Sequence, residues 1–154
     1  MRLVIACVGR PRGFAAEATQ QYLTRIERYQ PIRLVPVRPE RDGDRDPRVC
    51  RRREGERLLA AVPAAGRLWA LDARGRTFSS EDFAALLRKS LEGGVRELVF
   101  AVGGPMGLAD EVRTRAELVL SLSPLTLAHE VALVVLCEQI YRAFTILRGE
   151  RYHK

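Results

Sequence analysis

Two loops in the last third of the chain carry the residue types a ligand site needs. GGPMG at 103–107 follows the apolar run LVFAV at 98–102, and SPLTL at 123–127 follows LVLSL at 118–122. Both runs have the length and β-branched content of buried strands. In open α/β sheets, ligands sit beyond the carboxyl ends of the strands, and glycine there lets backbone approach them closely. A plain tight turn between strand and helix uses the same residues, so the pattern alone leaves both readings open. The first loop is not GxGxxG and lacks the Lys-Ser/Thr of a P-loop, which argues against a pyrophosphate or triphosphate ligand.

A second group lies further on. Glu138 and Arg142 stand four apart in the helical segment 129–147, in the order that favours an ion pair. They are either a structural pair, or a device in which Glu138 orients Arg142 toward a phosphate or base. Gly149 closes the helix as a C-cap, and Arg151, Tyr152, His153 and Lys154 follow. Tyr152 suits stacking on a base. His153 has the side chain whose ordinary pKa lies near working pH, so it is the candidate proton acceptor, or else a terminal histidine with no role.

GGPMG, SLSPLTLAHE and EQIYRAFTILRGERYHK, in this order and spacing, resemble the RlmH family. These are SPOUT-class, S-adenosylmethionine-dependent methyltransferases of large-subunit ribosomal RNA. The resemblance covers essentially the whole chain. It is strongest over 98–154, moderate over the Leu71-Asp72 strand end and the first strand, and weak over 38–53. It implies a cofactor held by Leu71, Gly103, Leu122, Ser123, Pro124, Leu125, Thr126 and Leu127. It implies methylation of N3 of a pseudouridine in a 23S rRNA stem-loop, on the assembled ribosome. Glu138, Arg142, Tyr152 and His153 then fall on the catalytic side. It also implies a homodimer that combines elements of both chains and a deep C-terminal trefoil knot that pattern reasoning alone rejects; the tail, which its position beyond Gly149 leaves free of the helix, is then expected to serve the partner's pocket.

S-adenosylmethionine carries an adenine, a ribose, a sulfonium and a zwitterionic tail, with no phosphate. An apolar pocket with backbone donors and acceptors suits it. Leu122, Leu125 and Leu127 supply walls, and Gly103 and Gly104 allow close approach. Taken singly, each leucine reads as ordinary core. Three positions depart from the family pattern. Leu133 replaces an arginine, Glu130 stands where glutamine or proline is usual, and Arg151 replaces a proline.

The elements that must position these residues are legible upstream. The run at 3–8 is a central strand, and 14–29 is an amphipathic helix with Phe14, Ala18, Tyr22 and Ile26 on one stripe and Leu23 beside it. A strand at 32–37 contains Pro36, which suggests an edge. RPERDGDRDP at 38–47 reads as a charged loop, and Asp46-Pro47 starts a helix reaching Val62. Its first turns carry Arg48, Arg51, Arg52 and Arg53, either a solvated face or a phosphate-contacting patch. A strand at 67–71 leads to a loop at 73–78 with Arg74, Gly75 and Arg76. Ser79, Glu81 and Asp82 open the next helix. A short helix lies near 110–115.

Strands alternating with helices predict an α/β fold with a parallel sheet, and 1–154 reads as a single SPOUT methyltransferase domain. Hydrophobic residues make up 47% of the 154, enough for a real core. The longest apolar run, 131–137, is too short to span a membrane, and the first residues read as a strand, not a signal peptide. A cytoplasmic protein is expected. Cys7, Cys50 and Cys137 form no C-x-x-C pair, so a metal site is not expected, and Cys7 and Cys137 read as reduced core residues. The formal net charge is +7, and all but Lys89 and Lys154 of the 26 basic residues are arginine. That favours a nucleic-acid partner over a membrane surface. Two other functions compete with the enzyme: a silent SPOUT-like module that binds rRNA, and a protein that binds another adenine nucleotide. The intact loops and tail favour the enzyme, and the absent phosphate motifs count against the last.

Overall fold

The computed structural model describes residues 1–41 and 46–154, so 42–45 of the expected charged loop lie outside the described residues. In chain order the elements are β1 (Arg2–Val8), α1 (Gly13–Ile26), β2 (Ile32–Val37), α2 (Pro47–Ala60) and β3 (Arg67–Arg76). They continue as α3 (Ser80–Glu92), β4 (Glu97–Val102), α4 (Asp110–Arg115), β5 (Leu118–Leu120) and α5 (His129–Leu147). Among the described residues the strands form one parallel sheet in the order β2-β1-β4-β3-β5. β2 is an edge strand, where Pro36 is tolerated because it has one neighbour to satisfy.

Alternation along the strands builds two cores. Leu3, Ile5 and Cys7 join Trp69, Phe100 and the buried faces of α1, α3 and α5. Val4, Ala6 and Val8 join Val99, Ala101 and residues of α2 and α4. Both faces of the sheet are therefore covered, as the continuous apolar strands require. Gly55 lets α2 lie against α4, since a Cβ there would meet Ala109 Cβ at 2.9 Å.

The start signals act as read. Asp46 accepts from the Arg48 N–H at 2.9 Å, and Ser79 Oγ accepts from the Asp82 N–H at 3.0 Å. At the end of α5, Gly149 takes φ +68°, and the N–H groups of Gly149 and Glu150 reach Ile146 O and Thr145 O. That is a Schellman close.

Several expectations need correction. In α1 the buried face is Ala15, Thr19, Leu23 and Ile26, and Phe14 is 69% exposed. The buried threonine masks the true stripe, while Phe14 suggests a stripe one residue earlier. The helix also stops at Ile26, and 27–29 form a turn. β3 runs beyond Leu71. It pairs with β5 up to Leu71↔Leu120, leaves the ladder over 72–75, and returns as Arg76↔Leu120. Gly75 permits that return, because a Cβ there would lie 2.5 Å from Val119 O. β5 ends at Leu120, two residues early. Ser121 Oγ donates to Ser123 O and Ser123 Oγ accepts from the Leu125 N–H, which turns the chain.

All three cysteines are buried, and burial pushes the thiols of Cys7 and Cys137 up to about 11 and about 12. No helix among the described residues is long and apolar enough to cross a membrane. No group of three His, Cys, Asp or Glu that could hold a metal ion occurs among them.

Candidate active site

The stretch of β3 that leaves the ladder after Leu71 and the ends of β4 and β5 open into one concavity of about 570 Å³. Its walls include Leu71, Val102, Leu120, Leu122, Leu125 and Leu127, with Ala128, His129 and Ala132 from the start of α5. The loop glycines Gly103, Gly104 and Gly107 form another side. Size and apolarity suit a nucleoside-sized ligand. Seven of the eight expected cofactor residues come together here. Pro124 is the exception, exposed and outside the lining.

In the second loop Ser121 Oγ donates to Ser123 O and Ser123 Oγ accepts from the Leu125 N–H, while the N–H groups of Leu122, Thr126 and Leu127 have no hydrogen-bond partner among the described residues. Unpaired donors beside an apolar wall are what the edge of a flat heterocycle requires. Leu125, 76% exposed, stands at the mouth.

Gly103 has a reason beyond the one expected. A Cβ there would lie 2.9 Å from the Gly107 carbonyl carbon and 3.2 Å from Leu108 Cδ2. Its missing side chain faces the loop's own return, so the shape of the loop itself also requires a glycine here. Gly107, at φ +80°, takes the left-handed conformation that closes that turn.

Asp72 forms the wall that sequence reasoning missed. Its carboxylate accepts from Arg74 Nε and Nη2, both at 3.0 Å, and from Arg113 Nη1 at 3.0 Å. The Arg74 contact holds its pKa down to about 2. Arg113 also donates to Leu108 O at 2.8 Å and pairs with Asp110. The signal was an acid at a strand end with an arginine two residues on. His129 was missed as well, because it reads only as a helix start.

Glu138, Arg142, Tyr152 and His153 converge in a second cluster. Glu138 Oε1 accepts from Arg142 Nε at 3.0 Å and from the Tyr152 hydroxyl at 3.1 Å. The Arg142 guanidinium lies 4.8 Å over the Tyr152 ring. His153 Nδ1 is 3.3 Å from Arg142 Nη1, and its Nε2 is 2.8 Å from Glu81 Oε1. A neutral imidazole protonated on Nε2 satisfies both contacts, accepting from the arginine and donating to the carboxylate. The His153 contact lowers the Glu81 pKa, and the Glu138 hydrogen bond raises that of Arg142. Burial first, then hydrogen bonds to Tyr22 and Glu138, push the Tyr152 phenol up, so it stays a donor.

The tail is thus not free of the helix. It folds back across α5 onto the first turn of α3, because Glu138, Arg142 and Tyr141 present partners for it. None of the four residues lines the pocket. At 1.5 Å of rise per residue, Glu138 lies about 9 Å along α5 from Ala132, the last pocket residue on that helix, and Arg142 about 15 Å. Of the family departures, Leu133 is buried in the core, and Glu130 accepts from the Arg12 N–H at 3.3 Å, tying down the loop after β1. Arg151 is exposed.

Comparison with known proteins agrees with this architecture. A family model described as "Predicted SPOUT methyltransferase" matches residues 1–153. The chain is 44% identical over 154 residues to a protein of Syntrophotalea carbinolica, covering 99% of both chains. It is 43% identical over 155 residues to one of Gemmatimonas aurantiaca, covering all of both. A Geobacter protein is 40% identical over 154 residues, with 99% of each covered. All three are named ribosomal RNA large subunit methyltransferase H. With a strand-end pocket of this construction and a match along its length, the chain belongs to the SPOUT methyltransferase family.

Proposed function

We propose that the chain is an S-adenosylmethionine-dependent methyltransferase of large-subunit ribosomal RNA. Its target is N3 of a pseudouridine in a 23S rRNA stem-loop, presented by the assembled ribosome in the cytoplasm. The observation that carries the reading is the apolar pocket of about 570 Å³ at three strand ends, lined by residues the family resemblance assigns to the cofactor.

Leu71, Leu122 and Leu127 hold the adenine and ribose by apolar contact, and the free N–H groups of the 122–127 loop orient them. Bound S-adenosylmethionine supplies an electrophilic methyl on its sulfonium. The protein's task is to place N3 in line with that methyl and to accept the N3 proton. Arg142 grips the substrate base or phosphate, which frees His153 Nδ1 from Arg142 Nη1 to accept the proton, while Glu138 fixes Arg142 and Tyr152 stacks on a neighbouring base.

Those four groups lie outside the lining of their own chain's pocket. A homodimer resolves this, with the tail cluster of one protomer completing the pocket of its partner. The half-buried Val131, Val134 and Val135 on α5 and the exposed Leu125 support such an interface. The trefoil knot belongs to the same reading.

Mass spectrometry of rRNA from a deletion strain tests the proposal. Loss of one methyl from a large-subunit pseudouridine, restored by the gene, is the expected result. Unchanged rRNA with retained ribosome binding returns the chain to a silent binding module.

A further inference from the structure

Beside the cofactor pocket lies a second concavity, of about 560 Å³ and different chemistry. Five arginines line it: Arg48, Arg51 and Arg52 from α2, Arg74 from β3 and Arg113 from α4. The two hollows share Asp72, Arg74, Gly107 and Leu108, so they lie side by side with these residues between them. Three carboxylates also line the second, but Asp72 and Asp110 are already held by Arg74 and Arg113. Only the exposed Glu111 stands against the arginines of α2.

Helix geometry selects which arginines face the groove. Arg48, Arg51 and Arg52 follow i, i+3, i+4 spacing and share one face. Arg53 is turned away and pairs with Glu40 at 3.9 Å. The patch read from sequence therefore divides, three residues to the groove and one to the body. The three are also available. Arg51 has no ion pair among the described residues, and Arg48 and Arg52 have only contacts of 3.8 Å to Asp46 and Glu56 at the surface. Such pairs are weak and exchange readily for a phosphate.

We propose that this groove holds the sugar–phosphate backbone of the RNA strand next to the target nucleotide. Arg48, Arg51 and Arg52 contact phosphates, and Arg74 stands where the strand turns into the pocket. The arginines of α2 form a row with neighbours on the order of 5–6 Å apart, which matches a chain of phosphates better than a single anion. Arginine also suits phosphate by its bidentate donors. Arg113, bound to both Asp72 and Leu108 O, fixes the partition between groove and pocket. The inference rests on the chain acting on ribosomal RNA.

The test uses the full chain and ribosomes from the deletion strain. Equilibrium binding is measured across a salt series, S-adenosylmethionine affinity by calorimetry, and methyl transfer with labelled cofactor. Replacing Arg48, Arg51 and Arg52 by alanine should weaken ribosome binding at least about tenfold and reduce the log–log salt slope by about 2. Cofactor affinity should not change. Arg51→Lys with Arg52→Lys should keep most of the slope, and Arg88→Ala on α3 should match the wild type. A wild-type slope in the triple-alanine protein overturns the groove while leaving the enzyme intact. Equal losses in the alanine and lysine variants also overturn it, since charge is then not the cause. No methyl transfer by the wild-type chain overturns the functional reading and this inference with it.

Discussion

At the scale of residues, pocket walls and loop shapers now separate. Leu127 lines the pocket without joining the core, so Leu127→Ala should raise the cofactor dissociation constant about tenfold, from roughly 1–2 kcal/mol of lost apolar contact. Its melting temperature should stay near wild type. Gly103→Val is different, because the new Cβ meets the Gly107 carbonyl carbon. It should lower melting temperature and cofactor affinity together, and a loss of affinity at unchanged stability would contradict the loop-shaping role. Asp72 links stability to pH. Its folded-state pKa, about 2, lies below the ordinary carboxylate value, so its contribution is present above pH 4 and is lost as pH falls toward 2. Arg74 is largely exposed, so solvent screening weakens the gain. Asp72→Asn should therefore melt lower than wild type at pH 7, with the gap narrowing from pH 4 toward 2. A gap that is constant with pH would show that the ion pairs are not its source.

At the scale of elements, legibility followed how locally each signal is written. The bounds of α5, its glycine close and the caps of α2 and α3 are local chemistry, and the structure reproduces them. The stripe of α1 was misread because burial of Thr19 and exposure of Phe14 are set by neighbours distant in sequence. The return of β3 at Arg76 was invisible for the same reason, since only contact with β5 explains Gly75. The tail was read as detached because nothing in Tyr152-His153 names Glu81 or Glu138 as partners. Its attachment sharpens one prediction. Deleting Tyr152, His153 and Lys154 should abolish methyl transfer and spare cofactor binding, and it should also cost a little stability through the lost contacts to α3 and α5. Full transfer by the truncated protein would remove any catalytic part for this segment.

At the scale of the whole molecule, the candidate site splits in two within one chain. The candidate cofactor half lies at the strand ends, and the candidate proton-accepting half begins about 9–15 Å further along α5 than the pocket lining. The sequence showed both halves but not their separation, because spacing along a chain does not fix distance across a fold. Two copies can bring them together, so light scattering should give a dimer at micromolar concentration. The sharper experiment asks whose tail acts. One chain lacks Tyr152, His153 and Lys154 but keeps its pocket. The other carries Leu127→Trp to fill the pocket but keeps its tail. Each homodimer should be inactive, since every site lacks one half. If tails act across the interface, the mixed dimer has one complete site, formed by the open pocket of the first chain and the tail of the second. Unfolding and refolding the two together should then restore up to about half of the wild-type activity per mixed dimer, at one site of two. If tails act within their own chain, no combination is complete and mixing restores nothing. That result, with mixed dimers confirmed by mass, would reject the shared site and require the tail to move from its position on α3 toward its own pocket.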